Sequence, residues 1–143
     1  MKIRKLAFDD KDQFLSLLNE LNTVGAYDDD LWERVFTSIT THPSQYCLVA
    51  TIGPTIVGTI SGFIRQTFLH EGGKTGYPED VIVHPDHRNK GICTNLMSAM
   101  DEIFMKEACY KSLGICEFGM HTMYKSSGYN RTQEEIVIRK DFA

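Results

Sequence analysis

At 143 residues the chain has room for a single domain, 1–143, able to bury roughly two-thirds of its unfolded surface with no disulfide or metal to hold it together. Hydrophobic residues at 42% and charged residues at 24% exclude a disordered, fibrous or low-complexity class. Fifteen Lys and Arg against 19 Asp and Glu leave a net charge of −4, which gives no general attraction to nucleic acid or anionic lipid, so an anionic ligand has to be met locally. No apolar run nears the roughly 18–20 residues that span a bilayer, and the start, MKIRKLAFDDKDQ, lacks a signal-peptide core. Both features read as a soluble protein of the cytosol or nucleus, with no membrane partner.

In chain order, residues 2–7 read as a short strand. Asp9 and Asp10 then offer an N-cap to a helix carrying Phe14, Leu15, Leu17, Leu18 and Leu21 at helical spacing. Asn22 to Gly25 break it. After the acidic run Asp28 to Asp30, a second amphipathic helix carries Leu31, Trp32, Val35, Phe36 and Ile39 and stops before Pro43. Two β-rich runs, 45–52 and 55–68, flank the turn signal Gly53-Pro54 and predict an antiparallel hairpin. His70 to Gly76 read as a glycine-rich loop, and 77–84 as the central strand, covered on both faces because Val81, Ile82 and Val83 are uninterrupted. A polar loop, Pro85 to Lys90, leads to a long helix opened by Gly91 with Ile92, Leu96, Met97, Met100, Ile103 and Phe104 on one face. A short strand at 111–116, a short helix ending near Gly128 and a last strand at 134–139 complete an α+β pattern. Cys47, Cys93, Cys109 and Cys116 lack metal or redox spacing and read as reduced, mostly buried thiols.

The order strand, Arg88-Asn89-Lys90-Gly91, long helix is the most informative feature. The first amides of a helix have no internal partner and sit at the positive end of its dipole, glycine lets an anion approach the backbone, and Arg88 and Lys90 add charge. A diphosphate or similar anion suits such a place. The glycine spacing is neither that of a Walker loop nor that of a dinucleotide fingerprint. His84 and His87 lack a third ligand at metal spacing, so loop polarity explains them and no metal is expected. The cluster at 88–90 is too short for a nucleic-acid stripe.

Val81-Ile82-Val83 followed by Arg88-x-x-Gly91-x-Cys93 resembles the acetyl-CoA pyrophosphate motif of the GNAT superfamily, with Cys93 where that motif has Gly or Ala. The resemblance implies the GNAT fold, a mixed, mostly antiparallel, splayed central sheet flanked by helices, whose open edge receives the cofactor. Val81, Ile82 and Val83 would line the pantetheine arm, and Arg88, Asn89, Lys90, Gly91, Ile92, Cys93 and Thr94 the pyrophosphate. A narrower resemblance, to the glucosamine-6-phosphate N-acetyltransferases, runs through Leu21-Asn22-Thr23-Val24-Gly25, Phe68-Leu69-His70, Gly73-Lys74, Gly76, Glu79-Asp80, Cys109-Tyr110-Lys111, Tyr124, Gly128-Tyr129 and Ile138-Arg139.

That narrower resemblance implies Tyr124 as the general acid for the departing thiolate, against the bland reading of a packed tyrosine. It assigns Glu79 and Asp80 to the substrate, as ligands or as a base through water, although alternation along a strand lets at most one of them face a given pocket. It assigns Thr23, His70, Lys74 and Arg139 to a sugar phosphate held across a two-fold homodimer. Ile115, Met120 and Tyr77 depart from an Asp, an Asn and a His in the family pattern, and Glu117 is the nearest acid that could replace the first. These departures keep two rivals open: a GNAT enzyme for another small amine or a peptide N-terminus, and an acyl-CoA-binding sensor without turnover.

Overall fold

The computed structural model describes residues 1–116, 120–131 and 140. The expected last strand, with Arg139, and the acid Glu117 lie outside the described residues. The chain runs β1 (Lys2–Lys5), α1 (Lys11–Asn19), α2 (Asp29–Thr40), β2 (Gln45–Ile52), β3 (Thr55–Gln66), β4 (Lys74–Val83), α3 (Ile92–Lys106), β5 (Cys109–Ser112) and α4 (His121–Lys125). The strands form one sheet in the order β1-β2-β3-β4-β5, antiparallel except for the parallel pair β4–β5. The middle strand is therefore β3. The run at 81–83 belongs to the next strand out, where Ile82 is buried while Val81 and Val83 are only partly covered.

Local chemistry explains most boundaries. Asp28 caps α2 by accepting the Leu31 N–H at 2.7 Å. Asp10 occupies the corresponding position of α1 but does not cap it, because Arg4 takes its carboxylate at 2.6 and 2.8 Å and the Ala7 N–H takes it at 2.8 Å, across a 3-10 turn at Phe8–Asp10. The β2–β3 hairpin closes on Gly53 at φ 58, as the turn signal predicts. The expected loop at 70–76 lies three residues earlier, at 67–73: β3 ends at Gln66 and β4 already begins at Lys74, opposite it.

Period-two alternation, reset where Ala50 pairs with Gly58 but Thr51 with Ile56 so that Val57 is an extra residue, divides the core between the two faces. Leu48, Ala50, Val57 and Ile60 turn towards α3, meeting Leu96, Met97, Met100 and Phe104. Cys47, Val49, Ile56 and Ile82 turn towards α1 and α2, meeting Phe14, Leu17 and Trp32. Only Cys47 among the four cysteines is buried, whereas Cys93 and Cys109 are half-buried and Cys116 is exposed, because each of these three lies near an element end. Among the described residues, no helix is long and apolar enough to cross a membrane.

Candidate active site

Two irregularities in β4 create the site. Pairing with β5 spans only Lys74, Thr75 and Gly76, with the Leu113 N–H bonded to the Gly76 carbonyl at 2.9 Å. Beyond that point no described strand lies against the outer edge of β4, so the sheet is splayed there. The second irregularity is a bulge: Thr59 pairs with Ile82 but Ser61 pairs with Glu79, leaving Asp80 and Val81 opposite a single β3 residue. Asp80 adopts φ 48, a left-handed conformation that an aspartate tolerates better than most residues.

The bulge resets the parity of the strand. Gly76 directs its carbonyl to the open side and His84 donates its N–H to the Val57 carbonyl on the β3 side at 2.9 Å. Counting back from His84 by alternation, Val81 and Val83 direct their N–H groups to the open edge, while Ile82 faces β3. Without the extra residue the assignments would reverse. The same reset cancels the expected separation of the two carboxylates. Glu79 stands opposite Ser61, whose hydroxyl bonds Cys47 Sγ on the α1/α2 face, and Asp80 joins Ser61 and Cys47 in lining a cavity of about 130 Å³ beneath those helices. Burial, and behind it the charge of Asp80, raises the Glu79 carboxyl pKa from its ordinary value, the direction that suits a general base.

Past β4, a 3-10 turn at Pro85–His87 leads into Asn89 at φ 60 and Gly91 at φ 74. The first helical bond of α3 runs from the Asn95 N–H to the Gly91 carbonyl, so the N–H groups of Ile92, Cys93 and Thr94 precede it and point out of the helix start. Arg88 Nε donates to the Val83 carbonyl at 3.1 Å and Lys90 Nζ to the Asp86 carbonyl at 3.0 Å, tying both cations to the end of β4 and the turn that precedes those amides. Burial pushes the Cys93 thiol up, so this side chain adds no negative charge to the anion site.

Tyr124 closes the far side of the splay. Its ring lies against Gly114, where an added Cβ would come within 3.3 Å of Cε1. Burial, then the neighbouring Cys116 and Cys93 thiols, push its phenol above the ordinary tyrosine range, so it holds its proton at neutral pH and stands within the electrostatic reach of the α3 start.

Of the expected phosphate ligands, Arg139 lies outside the described residues, and Thr23, His70 and Lys74 are not gathered at one point. Lys74 projects to the α3 side and pairs with Glu107 at 3.7 Å, and His70 packs its ring on Tyr110 at 4.6 Å. Thr23 lies in the exposed segment between α1 and α2. Tyr77 stacks on Phe63 at 4.6 Å and 7°, with the Arg65 guanidinium 5.6 Å from its ring. Ile115 and Met120 are both exposed. Sequence reasoning missed the linked hydroxyls of Ser112 and Tyr129 and the carboxylate of Asp101, which meet only in three dimensions.

Among the described residues, an open strand edge thus runs into helix amides that have no helical partner. Residues 11–129 match the family described as Acetyltransferase (GNAT) family. The chain belongs to this family. It is 27% identical over 139 residues to the glucosamine 6-phosphate N-acetyltransferase of Candida albicans, covering 95% of this chain and 93% of that one. It is 29% identical over 145 residues to the enzyme of that name from Arabidopsis thaliana, covering 99% and 96%. The crystal structure of the glucosamine-6-phosphate N-acetyltransferase from Arabidopsis thaliana matches with a TM-score of 0.89 at 27% identity, covering 98% of each chain. As in GNAT acetyltransferases generally, the acetyl donor is acetyl-CoA.

Proposed function

We propose that this GNAT enzyme transfers the acetyl group of acetyl-CoA to the amine of glucosamine 6-phosphate, as a homodimer in the cytoplasm, feeding amino-sugar synthesis. The observation that carries the reading is the parity reset at Asp80, which turns Val81 and Val83 outward along the stretch of β4 that no described strand covers, directly before the free amides of α3. The likeness to glucosamine 6-phosphate N-acetyltransferases over nearly the whole chain supports the acceptor.

Acetyl-CoA supplies the acetyl group as an activated thioester. In this reading Val81 and Val83 pair with its amide-bearing arm as an added strand would, with Ile82 behind them as the buried backing. Arg88, Asn89, Lys90, Gly91, Ile92, Cys93 and Thr94 hold its diphosphate through backbone N–H groups and two cations. Glu79, its pKa raised by burial, accepts a proton from the acceptor amine through water, and Asp80 binds the sugar or its ammonium form. Tyr124, protonated, delivers its proton to the departing sulfur. Thr23, His70, Lys74 and Arg139 hold the sugar phosphate across the dimer axis, which suits the separation of Thr23 from Lys74 onto opposite sides of the sheet in one chain.

The test mixes purified protein and acetyl-CoA with an amine panel that includes glucosamine 6-phosphate and glucosamine, following free thiol and identifying the N-acetyl product by mass. Turnover of the sugar phosphate, with kcat lowered about 100-fold in Tyr124→Phe and the sugar KM raised in Arg139→Ala, is the expected result. An inert sugar phosphate beside a reactive different amine would overturn the acceptor and leave the acetyltransferase standing.

A further inference from the structure

Tyr124 belongs to a helix of 5 residues, far too short to hold its own shape, so its side chain needs an external anchor. That anchor is Tyr129. The turn after α4, with Gly128 at φ 87, brings the Ser127 and Tyr129 N–H groups onto the Tyr124 carbonyl at 3.0 and 3.1 Å. The Tyr129 ring meets the Tyr124 ring edge-on at 5.9 Å and 75°. Its hydroxyl donates to Asp101 Oδ1 at 2.8 Å and contacts Ser112 Oγ at 2.6 Å. A phenol has one proton, and Asp101 receives it, so Ser112 must be the donor in the second bond. Asp101 lies in α3 and Ser112 ends β5, the two elements that bound the splay opposite β4.

We infer that Tyr129 is a positioning residue for acetyl transfer: clamped by Asp101 and Ser112, it fixes the Tyr124 phenol at the place where the thioester sulfur departs. The inference rests on the reading of Tyr124 as the proton donor. The clamp refers the phenol to the same helix whose N-terminus lies at the anion site, so proton donor and diphosphate share one rigid frame. Burial chiefly pushes the Tyr129 phenol far up, so the clamp keeps its proton throughout the working pH range and does not itself exchange it.

A double-mutant cycle tests this. Tyr129→Phe keeps the ring and removes only the clamp. It is expected to lower kcat about tenfold with both KM values unchanged, since a small misplacement of a catalytic group is enough for such a loss. In a Tyr124→Phe background the same change is expected to lower kcat less than about twofold, because the group being positioned is already gone. Asp101→Asn, which retains an acceptor oxygen, restores most of the rate that Asp101→Ala loses. Equal losses in both backgrounds, or an unchanged kcat in Tyr129→Phe, would refute the positioning role while leaving the proton donor intact. A fully active Tyr124→Phe would instead remove the proton donor and the clamp's purpose together. Thermal melting of each variant separates both results from simple unfolding.

Discussion

The two faces of the sheet are held by different means. On the α3 face, glycines let helix and sheet approach closely: an added Cβ at Gly62 would lie 2.6 Å from Met100 Sδ, and one at Gly76 would lie 2.5 Å from the Phe104 ring. The α1/α2 face carries a tilted aromatic cluster around Trp32, the cavity at Cys47 and Asp80, and polar ties between its elements. Gln13 accepts the Ile56 N–H at 2.9 Å, the Trp32 indole donates to the Phe8 carbonyl at 3.0 Å, and Arg4 grips Asp10. In the proposed reading, the tightly packed face backs the diphosphate site and the proton donor, which need fixed geometry, and the looser face borders Glu79 and Asp80, where the acceptor would enter and leave.

The sharpest way to break this contrast is Gly76→Ala. The new methyl meets three carbons of a buried ring, and urea unfolding should show a loss of about 2–3 kcal/mol. Next comes Arg4→Met on the other face, which removes charged hydrogen bonds to a buried carboxylate and should lose about 2 kcal/mol at pH 7. Its pH dependence carries a sign. Chiefly the Arg4 hydrogen bonds hold the Asp10 carboxyl below its ordinary value in the folded protein. The resulting stability is present above the unfolded-state pKa and is lost as pH falls through the depressed folded value. Wild type and Arg4→Met should therefore converge in acid, and a constant gap between their unfolding curves would refute the ion pair as the source.

Gly62→Ala should be milder than Gly76→Ala, about 1 kcal/mol, because a thioether can swing aside where a ring cannot. The smallest effect belongs to Cys47→Val at the cavity wall, within about 1 kcal/mol in either direction, since space already exists for the extra carbon. A loss at Cys47 as large as at Gly76 would show that the two faces are equally tight.

What the sequence disclosed and what it hid follow one physical rule. The hairpin turn at Gly53 and the start of α3 after Gly91 depend on backbone chemistry within a few residues, and each is legible from its own segment. The cap expected of Asp9 and Asp10 is lost because Arg4, from another element, takes the Asp10 carboxylate. The bulge at Asp80 is a relation between two strands. Nothing in β4 alone marks the extra residue, so simple alternation sent Glu79 and Asp80 to opposite sides. Lys74 went to the α3 side because β4 starts earlier than its glycines suggest, and Glu107 was waiting there. Tyr129 and Asp101 are 28 positions apart, a separation at which no local pattern pairs a phenol with a carboxylate.

The open edge of β4 has a further consequence, for association. A strand edge with free amides invites pairing with strands of other chains, the first step towards aggregation. Alternation from Gly76 turns the backbone of Pro78 to that edge, where it has no N–H to offer, and just beyond it the bulge at Asp80 bends the strand out of line. A regular β-strand approaching the edge that no described strand covers therefore finds a missing donor and a broken register, which makes that edge a poor template for pairing with another chain.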